Sequence, residues 1–179
     1  MRTTGVEHPP RGDLDLDFEE FFRSQYGPLV RATFLLTGNR EEAEDIAQEA
    51  LTRVYERWSR VREMESAVGY AYRVALHLNH RRLRKLLVQA SRRLQGPSTS
   101  EDPAVIAETR GDVLRVMTSL PMRFREVLVL TEWLEMDAAQ AGKVLGLRPG
   151  SVRARLHRAR EEFRKRYEGP ERVRENEDA

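Results

Sequence analysis

An interruption in an otherwise helical pattern constrains this chain most. Along most of its length apolar residues return every three or four positions, the period of a helix burying one face, and nothing alternates with the period of two that marks a strand. From 92 to 103 the rhythm stops, and Arg-Arg-Leu-Gln-Gly-Pro-Ser-Thr-Ser-Glu-Asp-Pro gathers turn formers and small polar groups. The expectation is an all-α protein of two small helical domains, 14–91 and 104–168, joined by a flexible linker at 92–103. A flexible N-terminus (1–13) precedes them and a charged tail (169–179) follows. At 179 residues there is chain enough for two modest cores.

Within the first unit, Phe18, Phe21, Phe22, Leu29 and Phe34 predict a helix from about Asp17 to the Thr37-Gly38-Asn39 break. A second begins near Arg40, with Ala43, Ile46, Ala47, Ala50, Leu51, Val54 and Trp58 on its inner stripe. After a connector at Val61 to Glu65, Ser66 is the expected cap of a third that runs past Arg84 and buries Ala71, Val74, Ala75 and Leu78. In the second unit one helix is expected from about Ala104 to Leu120, with Ile106, Val113, Val116 and Met117 apolar. Another should span Met122 to Leu134, with Phe124, Val127, Leu128 and Thr131 inward. Two short helices follow, capped by Asp137 and Ser151, the last reaching about Tyr167.

Charge narrows the partners. The net charge is only +2, but 31 residues are basic and all except Lys85, Lys143 and Lys165 are arginine, clustered at 81–93 and 148–166. Clustered guanidinium groups attract polyanions and grip phosphates and guanine edges bidentately. Cysteine is absent and the four histidines have no HxxxH or HExxH spacing, so neither a disulfide framework nor a metal site is expected, and no cofactor. Met1 to Arg11 has no apolar core of signal-peptide length, and no run approaches the roughly 18 apolar residues of a membrane span. A cytoplasmic, nucleoid-associated protein without membrane insertion is expected. No nucleophile stands with a base and no phosphate loop is present, so an enzyme is not expected.

The stretch Asp137 to Arg160, DAAQAGKVLGLRPGSVRARLHRAR, has the spacing of a helix-turn-helix: a capped helix, a turn at Leu145-Gly146-Leu147, and a second helix opening at Pro149-Gly150-Ser151. Ala141 or Gly142 lets the helices cross closely, and Gly146 supplies the positive backbone angle of the turn. At about 100° per residue, Val152, Leu156, Ala159 and Phe163 share one face, while Ala154, His157 and Arg158 lie opposite, where a major groove would meet them. Arg153 and Arg155 flank that face, and Arg148 and Ser151 stand at the helix start.

The first unit carries two unlike faces. On its second helix Asp45, Gln48, Glu49, Thr52 and Arg53 lie away from the buried stripe, an acidic surface suited to a basic protein or simply solvated. On its third, Arg73, His77, His80 and Arg84 recur at intervals of four, three and four, and with Arg81, Arg82 and Lys85 they can track phosphates. Tyr70 and Tyr72 either stack on unpaired bases or belong to the core. From the residues alone a dimeric helix-turn-helix repressor remains open, as does a helical interaction module whose arginines reflect codon usage.

Taken together the segments resemble the extracytoplasmic-function sigma factors. Ala43-Glu44-Asp45-Ile46-Ala47-Gln48-Glu49 looks like the family's AEDxxQE, and Tyr72-Arg73-Val74-Ala75 like its YRIA. Leu120-Pro121 with Arg125, and Gly150-Ser151-Val152-Arg153 through Leu156-His157-Arg158-Ala159-Arg160, look like LPxxxR and GTVRSRLxRAR. The resemblance implies a sigma region 2 bundle and a sigma region 4 helix-turn-helix. Asp45, Gln48, Glu49, Thr52 and Arg53 would then meet core RNA polymerase. Arg73, His77, His80, Arg81 and Arg84 would take the minus-ten element of promoter DNA, and Arg148, Ser151, Arg153, Ala154, Arg155, His157 and Arg158 the minus-thirty-five element. It further implies a monomer when free and allows an anti-sigma factor as partner. His77 and Arg81 depart from the family's usual asparagine and aspartate, and Gly142 from its usual alanine, at roughly up to 1 kcal/mol of helix propensity.

Overall fold

Gly38 and Asn39 make the first corner of the chain. Gly38 takes a left-handed φ of 74° and closes onto the Phe34 carbonyl at 2.8 Å, ending α1 (Arg11–Thr37). The Asn39 side chain then accepts from the Glu42 amide at 3.0 Å and caps α2 (Arg40–Tyr55). The computed structural model describes residues 11–93 and 108–177. Over these the elements continue as α3 (Trp58–Val61), α4 (Ala67–Arg93), α5 (Glu108–Ser119), α6 (Met122–Leu128), a π-helical turn (Val129–Trp133), α7 (Ala138–Leu145) and α8 (Pro149–Glu177). Among the described residues there is no strand, and no helix is long and apolar enough to cross a membrane.

Several boundaries differ from expectation. The first helix already runs at Arg11, through Gly12, so it takes in 11–13 of the predicted flexible N-terminus; residues 1–10 lie outside the described ones. Trp58 heads a separate turn of helix, α3, rather than closing the second helix. Arg92 and Arg93, expected in the linker, extend α4, while 94–107, including Ile106, lie outside the described residues. The tail is helical to Glu177, past a kink at Gly169 (φ 69°, ψ 165°). Val113 is exposed, and Leu114 beside it is buried.

Local chemistry at the helix-turn-helix follows the spacing closely. Asp137 accepts from Ala139 and Gln140 while the Gln140 side chain accepts from the Asp137 amide, a full capping box. Gly146 ends α7 at φ 68°. A Cβ on Gly142 would stand 2.6 Å from the Leu147 carbonyl oxygen, so the departure from alanine is required here by the approach of the turn's own backbone. Ser151 is not a cap: α8 starts at Pro149, and the Ser151 and Val152 amides bond the Arg148 carbonyl at 2.9 and 3.1 Å. The predicted helix to Leu134 widens into its π-turn where the Thr131 hydroxyl takes the Val127 carbonyl at 2.8 Å, and the Leu134 amide reaches back to Val129.

The two domains share one core. Leu29, Leu36, Ile46, Leu51 and Leu78 of the first pack in the same cluster as Met117, Leu120, Phe124, Val127, Leu130, Val144 and Val152 of the second. Apolar burial on this scale is the main force closing the molecule. A satellite cluster of Val54, Trp58, Val61 and Ala71, with Phe18 and Phe21 against it, braces α1, α2, α3 and α4. At the domain junction the half-buried Arg125 donates to the carbonyls of Leu120 at 2.9 Å, Leu36 at 2.7 Å and Thr118, capping the ends of α5 and α1 together. Nearby, a Cβ on Gly38 would stand 2.6 Å from Thr118 Cγ2.

Candidate nucleic-acid interface

Helix α8 presents the face expected of it. Val152 and Ala159 are fully buried, Leu156 and Phe163 partly so, and Arg153, Ala154, His157 and Arg158 are exposed on the far side. Arg148 and Ser151 are exposed at the helix start, although the Ser151 amide is already bonded and is not free for a phosphate. The exposed side chains bond only along their own helix: Arg158 Nε donates to the Ala154 carbonyl at 3.2 Å, and His157 Nδ1 lies 3.5 Å from Glu161. Such solvated contacts are weak and leave the face available to a ligand. Arg160, which sequence spacing did not single out, anchors α8 to the π-turn through Glu132 at 2.7 Å. Arg155 is half-buried on the flank toward α6.

Helix α4 is different. Arg73, His77, Arg81 and Arg84 are exposed and His80 is partly so, as the periodicity predicts. Two of the five are nevertheless engaged by the second domain: Arg73 donates to the Lys143 carbonyl of α7, and His80 Nε2 meets the buried carboxylate of Glu126 on α6. Lys143 in turn holds Glu65 at 2.5 Å, in the loop before α4. Arg82, expected in the phosphate-tracking stripe, turns instead to Glu42 at 3.2 Å and Asp45 at 3.6 Å on α2. Tyr72 is core, with burial pushing its phenol up to about 12, so it cannot stack on a base. Tyr70 is partly buried against the satellite cluster and takes a hydrogen bond from Arg57 at 3.2 Å.

On α2, Asp45, Gln48, Glu49 and Thr52 are exposed and Arg53 is half-buried, paired with Glu49 at 2.6 Å. The surface continues onto aromatic rings: Gln48 reaches the Tyr26 hydroxyl at 3.5 Å, and Tyr26 stacks on the exposed Phe22 with centroids 5.3 Å apart. The sequence hides this, because a phenylalanine at helical spacing looks like core whichever side of the stripe it occupies.

Comparison with known proteins agrees with this geometry. Residues 21–87 match sigma-70 region 2 and residues 110–163 match sigma-70 region 4. The chain is 30% identical over 155 residues to the RNA polymerase sigma-E factor of Streptomyces avermitilis, covering 86% of each chain. It is 27% identical over 177 residues to the ECF RNA polymerase sigma factor SigW of Bacillus subtilis, covering 89% of this chain and 93% of that one. In fold it is similar to the sigma factor RpoE of Bartonella quintana, solved with the anti-sigma factor NepR, at a TM-score of 0.74 and 16% identity over 86% of this chain and 98% of that one. Two regions in the same order, with a helix-turn-helix at the second, place the chain in the extracytoplasmic-function group of the sigma-70 family, as an alternative sigma factor of promoter-specific transcription initiation.

Proposed function

We propose that the two domains divide promoter recognition between them while one wall of the first domain docks on core RNA polymerase. The observation that carries this is the segregation of charge: α2 exposes Asp45 and Glu49, whereas α4 and α8 expose Arg73, His77, Arg81, Arg84, Arg153, His157 and Arg158. An acidic wall repels DNA and fits a basic protein surface, and the basic walls fit phosphates. Asp45, Gln48, Glu49, Thr52 and Arg53 meet the polymerase. Arg73, His77, His80, Arg81 and Arg84 hold the melted minus-ten strand and so aid opening. Arg148, Ser151, Arg153 and the outer edge of Arg155 track minus-thirty-five phosphates, with Ala154, His157 and Arg158 at the base edges.

On this reading the protein catalyses no reaction, works in the cytoplasm on the nucleoid as one copy per polymerase, and is open to restraint by an anti-sigma factor. The test is run-off transcription with core polymerase from a related bacterium on a pool of genomic promoter fragments. Discrete start sites that appear only with the protein are expected. Inert transcription together with a dimer that shifts duplex DNA would favour a repressor.

A further inference from the structure

Resting on the assignment of α4 to the minus-ten strand, we propose that the free chain inhibits itself: its second domain occupies the strand-binding wall of α4 and must leave before a melted strand can enter. Contacts along the wall carry this. At the start of α4, Arg73 donates to the Lys143 carbonyl, Lys143 Nζ holds Glu65 at 2.5 Å in the loop before the helix, and a Cβ on Gly69 would stand 3.8 Å from Val144 Cγ2. Farther along, His80 meets Glu126, and the buried Asn79 donates to Met122 Sδ at 3.4 Å. The two domains also share their apolar core, and Arg125 adds the Leu36 carbonyl at 2.7 Å, so the cover is an extended surface that no single pair holds.

What the second domain brings to the wall has the chemistry of a nucleic-acid backbone. Lys143 lies in the last turn of α7, where carbonyls without an intrahelical partner carry the negative end of the helix, and Glu126 is a carboxylate. Arg73 and His80 therefore meet acceptors where phosphate oxygens would otherwise stand, and they cannot serve both. His77, Arg81 and Arg84 remain exposed, enough for a weak first contact with a strand. Size demands opening as well. The two promoter elements lie about 25 base pairs apart, roughly 85 Å at about 3.4 Å per pair, whereas a compact chain of this length is roughly 40 Å across. The closed chain reaches only one of them.

The chain has no cysteine, so a reversible lock can be built across the junction. A Cβ on Gly38 would stand 3.7 Å from Thr118 Cβ, within disulfide range, so Gly38→Cys with Thr118→Cys joins the domains on oxidation. Oxidised and reduced forms are the same protein and share any strain at residue 38. The probe is a fluorescein-labelled single-stranded DNA of mixed sequence, bound by the free chain without polymerase. The reduced form is expected to bind it at least fivefold more tightly than the oxidised form. Gly69→Leu acts in the opposite direction: it favours the helix of α4 and drives a wedge against Val144 of α7. It should bind at least fivefold more tightly than the parent chain, and adding Arg84→Ala should remove the gain. Equal affinities of the oxidised and reduced forms, or a gain that survives Arg84→Ala, overturns the self-inhibition. Run-off transcription by the reduced form is a separate readout. Its absence would sink the sigma-factor reading, whereas strand binding still reports whether α4 is covered.

Discussion

Helices α4 and α8 carry basic stripes of the same period, yet only one stands open. On the outer face of α8 the partners of His157 and Arg158 are four residues away on the same helix, Glu161 and Ala154. On α4 they come from elsewhere: Lys143 and Glu126 of the second domain, and Glu42 and Asp45 of α2. Periodicity therefore fixes which way a side chain points and says nothing of what comes to meet it. The same arginine-rich pattern can stand open on one helix and be partly covered on another.

The sharpest way to break the comparison is to ruin α8's stripe while leaving α4's intact. Gly142→Ala places a methyl 2.6 Å from a backbone oxygen that cannot move without reopening the turn. The gain of about 1 kcal/mol in helix propensity is outweighed by strain, for a net loss of about 1–3 kcal/mol in the second domain. Thermal unfolding followed by circular dichroism measures it. A stabilised variant would mean that α7 and the turn are not packed as described.

The next effect tests whether the two stripes recognise DNA differently. Arg158→Ala should cost about 1–3 kcal/mol of minus-thirty-five discrimination, and Arg84→Ala should lower affinity for all sequences and reduce the salt slope by about 1. Holoenzyme binding to matched and mismatched promoters over a salt series separates the two. Equal, sequence-blind losses would erase the distinction between base reading and phosphate tracking.

A smaller effect bears on α8's approach alone. Asp137→Ala removes both hydrogen bonds it accepts at the start of α7 and should destabilise the second domain by about 1 kcal/mol, read as a shift in denaturant midpoint. The first domain, capped independently at Asn39, should not respond if it is unfolded separately. One cooperative shift of the whole chain would instead show that the shared core couples them.

What was legible in the sequence was local. The Thr37-Gly38-Asn39 break, the Asp137 cap, Gly146 at the turn and the inner face of α8 all depend on residues within a few positions of one another. The helix-turn-helix was therefore readable almost whole. Three features were not. The π-turn at Val129–Trp133, closed by the Leu134 amide on the Val129 carbonyl, leaves the apolar spacing of the sequence unchanged. Ser151 stands inside α8 and not at its cap, because proline at the first helical position starts the helix two residues earlier. The closure of the two domains was invisible, since Arg125 meeting the Leu36 carbonyl and His80 meeting Glu126 join residues far apart in the chain. Asn79 shows the limit in miniature: it sits in α4 among candidate DNA residues, yet it is buried with its amide on Met122 of the other domain at 3.4 Å.

The smallest effect concerns Tyr72, which neighbours Arg73 in sequence and points the opposite way. Its hydroxyl is buried with no hydrogen-bond partner, so Tyr72→Phe should be neutral or stabilising by up to about 1 kcal/mol near neutral pH. Alkaline titration gives the sharper test. An unfolded tyrosine loses its proton near about 10, whereas burial holds Tyr72 until about 12. Between those values the folded chain binds the proton and the unfolded chain does not, so stability is full below the lower value and falls as pH rises through the upper one. Tyr72→Phe should flatten that limb of the stability curve, and the absorbance of the last tyrosinate to form should disappear with it. If the limb is unchanged, the hydroxyl is not sealed in the core, and the inward wall of α4 would be as open to a ligand as its outward one.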